Sequence, residues 1–138
     1  MLKQSPGKII VFNKKEALNF EGDTGAYLLY SYARSNSILK KVKAKPNLEV
    51  EELEPKEVEL IKKLANFKEV VLEASQNLNP SVIANYSYQL AQIFNEFYHT
   101  CPVMKSTKEA FRLALVFSFK QVLKNTLNLL GIEPLEKM

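Results

Sequence analysis

The 138-residue sequence has no tryptophan, one cysteine, one histidine and four glycines. Each shortage excludes something. A lone Cys101 has no partner for an internal disulfide, and with His99 as its near neighbour it cannot complete a four-ligand metal site. That single thiol fits a reducing, cytoplasmic setting. Four Gly and six Pro are too few to punctuate many short strands, so a β-sandwich is disfavoured. The longest nearly apolar run, residues 113–119, is interrupted by Ser118 and flanked by Arg112 and Lys120. It falls far short of the roughly 20 residues that a membrane span needs. The first ten residues contain two lysines but no sustained apolar stretch, so nothing reads as a secretory signal. There is no glycine-rich phosphate loop, paired-histidine motif or nucleotide fingerprint. The sequence therefore argues against a self-contained enzyme, and no catalytic or metal-binding residue is assigned.

What is abundant is Leu, Lys, Glu, Ala and Asn, the material of long helices. Together with 46% hydrophobic and 25% charged residues, this predicts an all-α fold, a helical bundle of four to five main helices. Residues 1–22, with the β-branched run Ile9-Ile10-Val11, read as a connector, and 23–138 as the helical domain. The first helix is expected from about residue 25 to 42, capped by Asp23 or Thr24. A polar, acidic loop follows to Leu53. Glu54-Pro55 opens a second helix that bends near Asn66, and Asn77 to Asn79 stops it. Pro80 begins a central core helix carrying Val82, Ile83, Tyr86, Leu90, Phe94 and Phe97. Ser106 and Glu109 match a capping box for the last helix. Gly131 then supplies its C′ residue, and Pro134 prevents resumption.

Charge is unevenly spread. Residues 1–45 hold nine Lys and Arg against three acids, whereas residues 46–79 hold eight acids against four lysines. A basic end suits a polyanion, because phosphate contacts release counterions and steer association. The same end carries Tyr27, Tyr30, Arg34, Ile38 and Lys41 at steps of three and four, which is one stripe of a helix. Aromatic rings and a guanidinium on such a stripe can stack on unpaired RNA bases and hold phosphate. Taken alone, the spacing fits core tyrosines with hydroxyls reaching solvent at least as well.

The segment Phe20-Glu21-Gly22-Asp23-Thr24-Gly25-Ala26-Tyr27-Leu28-Leu29-Tyr30-Ser31-Tyr32-Ala33-Arg34 resembles the opening of the anticodon-binding domain of arginyl-tRNA synthetases. Two later blocks agree with it in order: residues 84–98, from Ala84 to Tyr98, and the closing Leu129-Leu130-Gly131-Ile132-Glu133 through Met138. The resemblance implies an all-helical domain of the Asp-Ala-Leu-Arg type that receives the anticodon stem and loop of arginine tRNA. It places the family's loop-contacting aromatic pair on Tyr27 and Tyr30 and its motif arginine on Arg34. The anticodon-facing tyrosine falls on Tyr98, with Asn95 beside it, and the terminal methionine on Met138. The sequence departs from the family pattern at Ala26, usually Pro, at Leu29, usually Gln, and at the shifted Pro134.

The His-Ile-Gly-His and Lys-Met-Ser-Lys signatures of the catalytic domain are absent. The chain alone is therefore not expected to be an enzyme or to need a cofactor. The parent implied by the resemblance is an arginine-tRNA ligase that uses ATP, and the connector would pack on its catalytic domain. The other reading is a free-standing helical paralogue serving as a general tRNA-binding or protein-interaction module.

Overall fold

Among the described residues five helices follow one another: α1 Gly25–Lys41, α2 Pro55–Ala65, α3 Phe67–Gln76, α4 Pro80–Thr100 and α5 Glu109–Leu129. The structure, a computed structural model, describes residues 24–42 and 45–137. The connector expected over residues 1–22, Asp23 and Met138 lie outside the described residues. Among the described residues there is no strand, which agrees with the all-α expectation.

α4 is the axis of the bundle and packs against each of the other four described helices. Its apolar residues explain why. Ile83, Tyr86, Leu90, Phe94, Phe97 and Cys101 recur at steps of three and four and are all buried, so one stripe runs the length of the helix. Phe94 stacks face to face on Phe119 of α5, with ring centroids 3.7 Å apart and planes 4° from parallel. Around this pair Leu60, Leu90, Phe97, Leu123 and Leu127 lose all solvent contact. α5 is enclosed on several sides by α1, α2 and α4, so its residues 111–116 are buried around the whole helix circumference.

The helix ends follow local chemistry. The second helix breaks at Asn66, which is both the C-cap of α2 and the N-cap of α3. Asn79 caps α4 by accepting from the Ser81 N–H at 3.2 Å. At the end of α5, Gly131 has φ of +71°, the left-handed conformation that costs glycine least. The Ile132 N–H donates to the Leu127 carbonyl at 2.9 Å and the Gly131 N–H to that of Asn128 at 3.1 Å, closing a Schellman motif. The capping box expected for α5 takes another form. Ser106 Oγ accepts from the Lys108 N–H, and the Glu109 carboxylate reaches past Ser106 to the Lys105 N–H at 2.6 Å. The reason is register: Lys108, rather than Ser106, is the N-cap, so the pair sits two residues too early. At the start of α2, by contrast, Glu57 accepts from the Glu54 N–H at 2.8 Å in a capping box built from two glutamates.

Arg112 lies in the apolar part of α5 with its side chain almost entirely buried. It survives there because each of its three guanidinium nitrogens has a hydrogen-bond partner. Nε donates to Glu57 at 2.7 Å, Nη2 to Glu54, and Nη1 to the Pro102 carbonyl at 2.8 Å and to Ser106 Oγ at 3.3 Å. Lys108 adds a second cation, 3.5 Å from Glu54 and 3.8 Å from Glu57. Burial works against the charge on Arg112, but its hydrogen bond to Glu57 and the two carboxylate charges outweigh it and raise its pKa. The Cys101 thiol donates to Glu54 Oε2 at 3.5 Å; this bond, assisted by Arg112 and Lys108 against desolvation, holds the Glu54 carboxyl below its ordinary range. Burial, followed by the Glu54 contact, pushes the thiol up to about 11.

Two outcomes are expected. Arg112→Ala leaves Glu57 buried without its partner and should cost roughly 3–5 kcal/mol in urea unfolding. The double replacement of Arg112 and Glu57 by Leu should recover a large part of that loss, because it removes the stranded charge along with the pair. Second, a thiol whose folded pKa is raised supplies stability that is intact below its unfolded value of 9.0 and is lost as pH rises toward about 11. Unfolding midpoints measured across that window should fall less steeply for Cys101→Ala than for the parent chain; equal slopes would remove the thiol from the account.

Candidate nucleic-acid interface

α1 and α4 together carry five of the six residues singled out in the sequence. Their side chains meet around Asn95. The Asn95 amide nitrogen donates to the Tyr27 hydroxyl at 2.7 Å and to Ser31 Oγ at 3.2 Å, while its oxygen accepts from Arg34 Nη1 at 3.3 Å. Arginine is donor-only, so it determines which end of the amide is oxygen. Ser31 in turn donates to the Tyr27 carbonyl at 2.9 Å, within α1. One short amide thus locks two turns of α1 to one turn of α4.

The aromatic rings surround this polar centre. Arg34 lies over the Tyr98 ring with its guanidinium carbon 4.4 Å from the centroid, and 6.0 Å from the centroid of Tyr30. Tyr27 packs against Tyr88 at 5.4 Å, and Tyr98 lies 6.5 Å from Phe94 of the core. Tyr30 is 48% exposed, whereas Tyr27, Arg34, Asn95 and Tyr98 are half-buried. An ordered guanidinium and an exposed ring therefore stand side by side on a rigid two-helix platform. Only one of the guanidinium's five N–H donors is used by Asn95.

The helical stripe predicted from spacing is divided. Ile38 is 4% exposed and belongs to the core, while Lys41 is exposed. Steps of three and four drift around a helix of period 3.6, and Ile38 falls on the edge of the buried arc formed with Ser31 and Ser35. The tyrosines divide as well. Tyr32 and Tyr86 are core residues, and the Tyr86 hydroxyl donates to the Lys63 carbonyl at 2.8 Å. Ser31 and Tyr88 join the cluster without having been singled out in advance. Ser31 lies four residues after Tyr27 and three before Arg34, a spacing that carried the necessary signal.

On the opposite flank of α1, the C-terminal segment crosses the helix. The Asn36 amide donates to the Glu136 carbonyl at 3.0 Å and accepts from Lys120 Nζ at 2.7 Å. Lys40 pairs with the Glu136 carboxylate at 3.0 Å and draws its pKa below the ordinary value. Burial and then this carboxylate raise the pKa of Tyr32 beneath it. The segment leading to Met138 is thus pinned along α1 as far as Glu136. Among the described residues there is no cluster of three or more potential metal ligands and no helix long and apolar enough to cross a membrane.

This arrangement has close counterparts. The chain is 42% identical over its whole length to an arginine-tRNA ligase of Thermococcus sibiricus and 45% identical over 99% of it to one of Clostridium botulinum, of which it covers 23% and 25%. It thus spans about a quarter of the length of these curated relatives. Its structure superposes on Thermus thermophilus arginyl-tRNA synthetase with a TM-score of 0.92 at 38% identity, covering 99% of this chain and 25% of that one. Arginyl-tRNA synthetase from Plasmodium falciparum gives 0.88 at 30% identity, again over 99% and 25%. The family model of the DALR anticodon binding domain matches residues 28–138, a span that takes in the Tyr30, Arg34, Asn95 and Tyr98 platform, and the chain belongs to that family.

Proposed function

We propose that this domain receives the anticodon stem and loop of an arginine tRNA. In this reading it positions the tRNA for ATP-dependent aminoacylation in the cytoplasm by a catalytic domain of the same enzyme, an arginine-tRNA ligase. The observation that carries the proposal is the Asn95 amide, which orders Arg34 and Tyr27 before any ligand arrives. Preorganised groups lose less entropy on binding than mobile ones. Tyr30 offers an exposed ring on which an unpaired base can stack. Arg34, held over Tyr98, gives one of its five donors to Asn95 and can offer others to phosphate or a base edge. Asn95 acts as a positioning residue for both. Met138, which lies outside the described residues, joins this proposal on the resemblance alone. The ATP chemistry belongs to the parent enzyme, and this domain contributes binding and orientation.

Three measurements test the reading. Tyr30 is half-exposed, so Tyr30→Ala should leave the unfolding midpoint unchanged while costing roughly 1–3 kcal/mol of tRNA affinity. Arg34→Ala should weaken binding and reduce the steepness of its salt dependence by roughly 0.7 if one single-strand phosphate is lost; an unchanged slope would exclude that contact. Finally, an arginine tRNA with altered anticodon bases should bind more weakly than the parent. Equal binding of the two would sink the anticodon assignment.

A further inference from the structure

The outward ridge of α4 continues past the Asn95 platform toward the start of the helix. Asn85, Tyr88, Gln89, Gln92, Asn95 and Glu96 recur at steps of three and four, so they share one side of α4, and each is exposed or half-buried. Tyr88 packs against Tyr27 of the platform at 5.4 Å, and its hydroxyl accepts from the Gln92 amide at 3.3 Å. α2 runs antiparallel to this ridge. Lys56 reaches Glu96, and Lys63, seven residues further along α2, reaches Gln89, seven residues back along α4. The two rungs use the same cation and differ in what receives it.

Lys56 is neutralised: its ammonium donates to the Glu59 and Glu96 carboxylates, and these hydrogen bonds raise its pKa. Lys63 is not. Among the described residues no carboxylate pairs with it, and burial lowers its pKa. Its nitrogen lies 4.8 Å from the centroid of the Tyr86 ring and donates to Gln89 Oε1 at 2.7 Å, while the Tyr86 hydroxyl holds its backbone carbonyl at 2.8 Å. An ammonium that is partly desolvated without a counter-charge is a cost that an arriving anion offsets. Lysine is donor-only, so it takes the oxygen of Gln89 and leaves the NH2 group of that exposed side chain as a second donor beside the ammonium. Glu96, the sole acid of α4, is already engaged by Lys56.

We infer that Lys63 and Gln89 form a clamp for one backbone phosphate on the stem side of the RNA loop whose base meets Tyr30 and Arg34. The inference rests on the anticodon-loop reading above. Six residues of helix separate Asn95 from Gln89, about 9 Å along α4, a span of roughly three stacked nucleotides at ~3.4 Å each. A phosphate at that distance accepts from the ammonium and the amide together, and the bond to the ammonium is charge-assisted. The clamp recognises charge and spacing and no base edge. It sets the register of the strand on α4, while bases are read at the platform.

The test uses the 138-residue chain and a synthetic anticodon stem-loop of arginine tRNA, with affinity measured across a salt series. Lys63→Met keeps an unbranched side chain over Tyr86, and with it the unfolding midpoint, but removes the charge. The slope of log affinity against log salt should become shallower by about 0.7–0.9 for one lost phosphate contact, and Lys63→Arg should restore it. A stem-loop with altered anticodon bases should lose the same factor of affinity on Lys63→Met as the parent stem-loop, because a phosphate contact carries no sequence information. Lys62→Met removes an equal charge from the exposed neighbouring position and should leave the slope near that of the parent. If Lys63→Met keeps the parent slope, or Lys62→Met flattens it equally, there is no clamp and the platform reading stands alone. If both stem-loops bind alike while Lys63→Met still flattens the slope, the clamp stands and the anticodon assignment falls. If the parent chain does not bind the stem-loop at all, both fall together.

Discussion

The constraint on which the rest depends is the buried pairing of Arg112 with Glu57. It joins three parts of the chain distant in sequence: the first turn of α2, the turn between α4 and α5, and the apolar body of α5. A guanidinium buried this deeply is stable only while its donors are matched, so it tolerates few positions for its partners. Glu57 is therefore held where it also caps α2, and Pro102 where the chain leaves α4. The end of α4 that carries Tyr98 inherits its placement from this pair. Hydrophobic packing, led by Phe94 on Phe119, supplies most of the cohesion, but apolar contacts alone do not specify where a polar turn must lie.

The two polar centres divide the work. The Arg112 cluster is interior and neutralises acids that the sequence places in a strongly negative stretch. Glu54 and Glu57 are consumed there, and Glu59 is paired with Lys56, which also reaches Glu96 on α4. The charge imbalance between the first and second parts of the chain is thereby moderated in three dimensions. What remains outside at α1 is basic: Arg34, Lys40 and Lys41. The Asn95 centre is shallower and lies at the surface, as befits groups that must be ordered and accessible together. There one amide serves a phenol, a hydroxyl and a guanidinium at once.

Much of the helical architecture was legible in the sequence. Caps, prolines and three-four spacing marked the break at Asn66, the axis helix beginning at Pro80 and the stop at Gly131. These signals are local, and so they survive folding. The stripe on α1 was read less completely. Periodicity assigned Ile38 to the same face as Tyr27 and Arg34, but burial depends on what packs against the arc, and Ile38 lies within the core. The position of Asn95 at the centre of the site could not be deduced from spacing, because its partners lie 61 to 68 residues away. The same holds for Arg112, which looked like a charged flank of an apolar run. Long-range polar pairing leaves no periodic trace, whereas the resemblance to a family supplied the association of Asn95 with Tyr98 directly.

Asn36 has an implication for how the molecule is made. Its buried amide is satisfied by groups 84 and 100 residues later, on Lys120 and Glu136. On a ribosome adding about 5–20 residues per second, α1 emerges and then waits several seconds before either partner exists. Until then one flank of the helix bears an unsatisfied polar group beside exposed core positions, and the tyrosine face on its other flank rests on an unfinished support. The surface proposed to meet the tRNA is among the first parts of this domain to be synthesised and among the last to be secured.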